Sequence, residues 1–243
     1  MEIVDGWIGR IVPGRSFVDI GGIGEWSGNE KVSVALRAGA ARAAVADILP
    51  FAEPYWPAFH ARMQGMGIAR DAYEAVAGAD VTKPGLPDLL PGFDVVYSSG
   101  IIYHCPDPMS AVHTLARTAG RWLIVNTVIL PERMETPAGT LSFPGSTGIF
   151  LPGMSERERD ILRAYYQAKF GWNIDGPVPR PEEAPASAMP WVLPDGALNC
   201  VPYWWFVTPD AFRGMVRTAG LAIRDEWTWA EHCLFLLCEK PPG

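Results

Sequence analysis

The sequence predicts an α/β protein with a doubly wound, mostly parallel seven-stranded sheet, a C-terminal antiparallel hairpin and an inserted cap. Three observations predict it. Short apolar runs alternate with helical patterns from Ser16 to Ile129, which is the signature of βαβ units. A glycine cluster, Gly21-Gly22-Ile23-Gly24, directly follows the first run. Near the C-terminus two apolar runs, Leu221–Trp229 and His232–Glu239, are separated only by Ala230-Glu231, a spacing that suits a hairpin. All of residues 1–243 are expected in a single domain, with residues 131–203 forming the cap and substrate-binding region.

The elements follow in order. Ser16–Ile20 reads as the first strand, and Asn29–Gly39 has helical spacing through Val32, Ala35 and Leu36. Ala43–Ala46 is a second strand ending at Asp47, and Glu74–Ala79 a third, ending at Asp80. Phe93–Ser98 is the fourth, after the turn at Pro91-Gly92. Asp107-Pro108 then opens a helix, with Asp as N-cap and Pro in the first helical position, and Gly120 ends it. Trp122–Ile129 is the fifth strand. From about Pro131 to Pro202 the alternation breaks. One helix stands out there, opened by a Ser155/Glu158 capping box and stopped by Gly171; the sequence around it reads as loop. Six prolines between Pro177 and Pro194 exclude a regular element in that stretch. A helix over Thr208–Ala219 precedes the closing hairpin, with Phe212, Met215, Val216 and Ala219 on one face.

Composition narrows the function classes. Apolar residues make up 49% and charged residues 19%, enough for a large core and against wholesale disorder. The net charge of −7 with no Lys/Arg cluster argues against a nucleic-acid partner. No secretory signal or membrane-length apolar run is present, and Cys105, Cys200, Cys233 and Cys238 show no C-x-x-C spacing. A reduced, cytoplasmic protein without a structural metal is expected.

The candidate site starts at the glycines. A glycine turn between strand and helix brings backbone close to a ligand, although a tight turn alone also explains such glycines. Asp47 lies 23 residues after Gly24, near the separation of about 20 residues at which a carboxylate meets a ribose diol. A nicotinamide dinucleotide is disfavoured: after Gly22 and Gly24 the next glycine, Gly28, comes one position too late for G-x-G-x-x-G. Asp19, two residues before the glycines, would repel a pyrophosphate but not an ammonium or a sulfonium.

On these residues the sequence resembles the class I S-adenosylmethionine-dependent methyltransferases. VDIGGIG (Val18–Gly24) is similar to their first motif and AVADIL (Ala44–Leu49) to their ribose-acid segment. FDVVYSSGIIYHCPDP (Phe93–Pro108) is similar to their fourth-strand signature, and WWFVTPDAFRGMVRTAGL (Trp204–Leu221) to a segment common in one branch of them. Ile23 and Glu25 stand where the middle and last motif glycines are usual. The resemblance implies S-adenosyl-L-methionine as cofactor. Asp19 and Gly21, with Gly22 and Gly24, would serve its methionine end, Asp47 its ribose and Ile48 the face of its adenine. Asp80 and Val81 would hold the adenine edge, and Ser98, Ser99 and Gly100 would floor the site near the sulfonium.

The expected reaction is methyl transfer to a small, apolar or aromatic molecule in biosynthesis, with oxygen favoured as accepting atom over nitrogen or carbon. His104 is the candidate general base, its ordinary pKa of about 6.5 suiting the task; the more ordinary role, that of the matching histidine in the family, is to anchor a loop by hydrogen-bonding to backbone. Tyr103 closes over the cofactor or simply packs. Tyr203 and Trp204, with Trp205, form an aromatic wall for the substrate or part of the core, and Glu132 follows the fifth strand, where it is a substrate contact or, more ordinarily, a solvated loop acid. Two alternatives stay open: an enzyme of the same fold that modifies a tRNA wobble uridine, and a protein that binds the cofactor to promote cyclisation or rearrangement without methyl transfer.

Overall fold

The computed structural model describes residues 2–24, 30–174, 191–193, 196 and 198–241. Asn29 and most of the proline-rich stretch from Pro177 to Pro194 therefore lie outside the described residues.

The chain opens on a helix that the sequence reading did not anticipate, α1 (Glu2–Ile11). Val4, Trp7, Ile8 and Ile11 recur at the i, i+3, i+4, i+7 spacing and are buried. Strand β1 (Ser16–Ile20), helix α2 (Val32–Arg37) and strand β2 (Arg42–Asp47) form the first βαβ unit. A second unanticipated helix, α3 (Tyr55–Gly65), buries Trp56, Phe59 and Met63 against the outer part of β2. Strand β3 (Glu74–Ala77) stops two residues earlier than predicted, though the N–H of Ala79 still reaches the carbonyl of Asp47 at 2.8 Å. Helix α4 (Leu86–Leu89), strand β4 (Val95–Ser98), helix α5 (Pro108–Thr118) and strand β5 (Trp122–Val128) complete the alternating part. Asp107 caps α5 as predicted, accepting the N–H of Ser110 at 3.0 Å.

Beyond β5 the segment expected as loop carries more structure than its sequence suggests. Strands β6 (Arg133–Thr136) and β7 (Gly139–Ser142) form a hairpin, and β8 (Gly148–Phe150) pairs antiparallel with β9 (Trp205–Val207). The predicted helix, α6 (Glu156–Phe170), has its full capping box and a left-handed Gly171 at its end. It packs Ile161, Leu162 and Tyr166 against Met134 and Leu141 of the hairpin and against the sheet. Helix α7 (Pro209–Thr218) leads to β10 (Ala222–Trp229) and β11 (Cys233–Glu239). Their connection spans three residues, not two, with Ala230 and Glu231 both at positive φ.

The seven-stranded sheet runs β10-β11-β5-β4-β1-β2-β3. All neighbours are parallel except β11, which runs antiparallel between β5 and β10. Helices α4, α5 and α7 cover one face over Val18, Ile20, Val96, Val125 and Leu234. Helices α1 and α6 cover the other over Phe17, Tyr97, Ile124 and Phe235. From β1 the chain steps outward to β2 and β3, then returns to β4 on the opposite side of β1. The strand order thus reverses between β1 and β4, and a crevice opens beyond their carboxyl ends, the usual ligand position in such sheets. Among the described residues no helix is long and apolar enough to cross a membrane.

Candidate functional site

A cavity of about 180 Å³ occupies that crevice, built from the carboxyl ends of β1 to β4. Gly21 comes from β1, Asp47 and Ile48 from β2, Asp80 and Val81 from the turn after β3, Gly100 and His104 from the turn after β4. Seven of the residues singled out from the sequence therefore share one cavity, although the chain separates the first from the last by more than eighty positions.

Asp19 lies just beneath it. The side chain is buried beside Tyr97, its register partner on β4. One carboxylate oxygen accepts the N–H of Lys31 at 2.8 Å, and the other is buried without a hydrogen-bond partner among the described residues. Burial, reinforced by the negative charge of Glu30, pushes its pKa well above the ordinary carboxylate value. The turn is shaped around this group. A Cβ at Gly22 would overlap the Asp19 carboxylate, and Gly21 adopts φ +89°, a conformation that favours glycine. Gly24 contributes its carbonyl to the Arg62 guanidinium at 3.3 Å.

Asp47 is buried at the cavity wall and holds the N–H of Leu49 at 3.0 Å. Burial raises its pKa, with the amides of Leu49 and Ile48 working against that. Ile48 stands exposed at the rim. Asp80 folds back to accept both the N–H and the hydroxyl of Thr82, at 2.8 and 2.7 Å, which leaves its turn rigid. Ser98 and Ser99 are buried, the Ser98 hydroxyl without a partner among the described residues. Gly100, at φ +76°, donates its N–H to Asn126 Oδ1 at 2.7 Å.

His104 ends a short 3-10 turn, Ile102–His104, with Nδ1 3.2 Å from the carbonyl of Pro202. A carbonyl accepts only, so Nδ1 carries the proton and Nε2 the lone pair. Burial lowers its pKa to about 4, against the pull of the Pro202 and Val201 carbonyls. Tyr103 packs beside it, its ring 4.4 Å from that of His104, 5.0 Å from that of Tyr203 and 6.5 Å from that of Phe206. Trp204 is buried against Trp191 and donates its indole N–H to the Asn199 carbonyl at 2.7 Å. Trp205 packs on Phe150 at 5.0 Å and donates its indole N–H to the Pro106 carbonyl at 3.0 Å. Glu132 is exposed at the foot of the β6–β7 hairpin and does not line this cavity.

No protein-family model matches the chain, and no curated protein matches its sequence. Solved structures do match. A magnesium protoporphyrin IX methyltransferase from Synechocystis with bound S-adenosylhomocysteine aligns at TM-score 0.54 and 15% identity, over 98% of this chain and 81% of that one. An S-adenosylmethionine-dependent methyltransferase from Mesorhizobium loti aligns at TM-score 0.52 and 16% identity, over 98% of this chain and 96% of that one. An O-methyltransferase family 2 protein from Planctomyces limnophilus, in complex with apigenin, aligns at TM-score 0.52 and 18% identity over 94% of this chain and 50% of that one.

The fold is that of the class I S-adenosylmethionine-dependent methyltransferases.

In this methyltransferase fold the residues present suit an adenosyl group. Asp47 and Asp80 offer carboxylates to hydroxyl and amine donors, while Ile20, Ile48, Val81 and Ile101 offer flat apolar walls to a ring. The Asp19 oxygen without a partner among the described residues offers an acceptor to an ammonium, beside the glycine turn. Sequence reading missed Cys105 and Cys200, which also line the cavity, and Asn126, which holds its edge. Cys200 arrives from the far end of the cap and carried no local signal. Asn126 did carry one: an amide within the apolar run WLIVNTV.

Proposed function

We propose that the protein is an S-adenosylmethionine-dependent methyltransferase acting on a small, apolar or aromatic molecule, with oxygen as the accepting atom. The carrying observation is the buried oxygen of Asp19 that has no hydrogen-bond partner among the described residues, set beside the glycine turn at Gly21 and Gly22. A buried carboxylate oxygen without a donor is costly, and the α-ammonium of the cofactor would supply the donor. Fold neighbours that include a magnesium protoporphyrin IX methyltransferase and a protein in complex with apigenin support a small acceptor. The net charge of −7 supports it over a nucleic acid.

When bound, the cofactor supplies an electrophilic methyl group. Asp47 would accept the ribose hydroxyls, Ile48 would lie on the ring face, and Asp80 with Val81 would take its edge. These contacts fix direction as well as affinity, because an in-line displacement gains most from holding the nucleophile about 3 Å from the methyl carbon. His104 stays neutral throughout the physiological range, since its pKa is lowered to about 4. Its Nε2 lone pair would accept a hydrogen bond from an acceptor hydroxyl and orient it, a role that needs no permanent proton uptake. The Tyr103 hydroxyl, which burial pushes well above the ordinary tyrosine range, keeps its proton and acts by packing. Tyr203 and Trp204 would form the apolar wall behind the acceptor.

Titration calorimetry with S-adenosylhomocysteine tests the cofactor assignment: saturable one-to-one binding is expected, and no binding overturns it. Incubation with S-adenosylmethionine and a panel of phenols and carboxylic acids tests the reaction, read as S-adenosylhomocysteine released together with a methylated acceptor.

A further inference from the structure

Strand β5 is apolar around Asn126, and the residue is buried at 4% exposure. A polar side chain in that position invites the question of what it holds. Strand β4 stops at Ser98, so the N–H of Gly100 has no strand partner. It takes one from the side, the Asn126 carbonyl oxygen at 2.7 Å. This bond anchors a whole wall of the cavity, because Gly100, Ile101, His104 and Cys105 follow one another along the same turn. Further along, the turn is held by His104 N–H to the Ile101 carbonyl at 2.9 Å and by its ties to the 202–204 segment. Those ties are Trp204 N–H to the Tyr103 carbonyl at 2.8 Å and His104 Nδ1 to the Pro202 carbonyl at 3.2 Å. Asn126 holds its start, at Gly100. The opposing wall comes very close. A Cβ placed on Gly21 would meet Ile101 Cδ1 at 2.5 Å, so a small shift of the Gly100 turn changes the gap between these two walls.

We propose that Asn126 is a positioning residue for the cofactor site: its side-chain carbonyl holds Gly100, and with it the wall of Ile101 and His104, at the separation an adenosyl group requires. The inference rests on the cofactor reading above. An amide serves here because its oxygen accepts while the side chain remains uncharged in a buried strand. Serine at this position is too short to reach Gly100, whereas aspartate keeps an acceptor oxygen in the same place.

The test compares Asn126→Ser with Asn126→Asp, using S-adenosylhomocysteine as the probe. Asn126→Ser is expected to bind it about tenfold more weakly than the wild type, and Asn126→Asp within about threefold of it. Hydrogen exchange at the Gly100 amide reads the bond itself and needs no ligand: exchange speeds up in Asn126→Ser and stays protected in Asn126→Asp. Equal exchange at Gly100 in wild type and Asn126→Ser overturns the proposal, as does undiminished binding by Asn126→Ser or equal loss in both variants. Failure of the wild type to bind the probe overturns the cofactor reading instead, while the exchange measurement still judges the role of Asn126.

Discussion

The carboxylate of Asp19 occupies the space that a side chain at position 22 would need. Two residues three apart in the chain therefore exclude one another, and only glycine satisfies both. Gly22→Ala forces either the carboxylate or the turn to move, and overpacking of this kind costs about 1–3 kcal/mol. A lowered denaturation midpoint is expected, together with loss of S-adenosylhomocysteine binding. A variant as stable and as tight-binding as the wild type would show that the turn yields freely.

Asp47 ends β2, where burial raises its pKa while the amides of Leu49 and Ile48 work against that. Asp47→Ala removes the acceptor proposed for the ribose hydroxyls without opening a large core void. Hydrogen bonds to a charged group contribute roughly 1.5–3 kcal/mol, so cofactor affinity should fall by about ten- to a hundredfold. Calorimetry on the two proteins, with matched circular dichroism, checks this.

Asp19 sets stability against binding. Its pKa in the fold lies above the unfolded value because burial disfavours the charged form. The fold is thus relatively favoured when the group is protonated, and stability is lost as pH rises through the folded pKa. Asn keeps an acceptor for Lys31 N–H and never ionises. Asp19→Asn should therefore raise the melting temperature at pH 7 to 8, with the gain shrinking as the solution is acidified, while cofactor binding falls. A melting temperature below that of the wild type at pH 8 would contradict the sign.

His104 has the opposite sign. A histidine whose folded pKa is lowered to about 4 contributes stability above its unfolded pKa of about 6.5, and that contribution is lost as pH falls through this window. His104→Gln should consequently lose less stability than the wild type between pH 6.5 and 4. The imidazole proton resonance of His104 should titrate near 4, and a midpoint close to 6.5 would remove burial as its controlling influence.

The cap helix offers a test away from the cavity. The Ser155 hydroxyl and the Glu158 carboxylate satisfy each other's backbone N–H groups, at 3.4 and 2.7 Å. Ser155→Ala should cost about 1 kcal/mol of stability, with little change in cofactor affinity, because α6 contributes nothing to the cavity lining.

The sequence by itself determined the strands that lead to the cavity and the acids at their ends. β1, β2, β4 and β5 are short apolar runs bounded by Gly, Pro or Asp, and α5, α6 and α7 begin with side-chain caps that act within four residues. Such signals are local, so the chain order displays them. Helices α1 and α3 were less legible because Gly6 and Gly9, and Pro57, are poor helix formers within otherwise helical spacing. The β6–β7 hairpin escaped because its strands are mostly polar and exposed. Only the tertiary structure decided that Asp19 keeps an oxygen unpaired among the described residues, that His104 points Nδ1 at Pro202, and that Asn126 and Cys200 belong with the cavity. Each depends on desolvation or on a contact between residues far apart in the chain, and burial is a property of the packed molecule that no stretch of sequence displays.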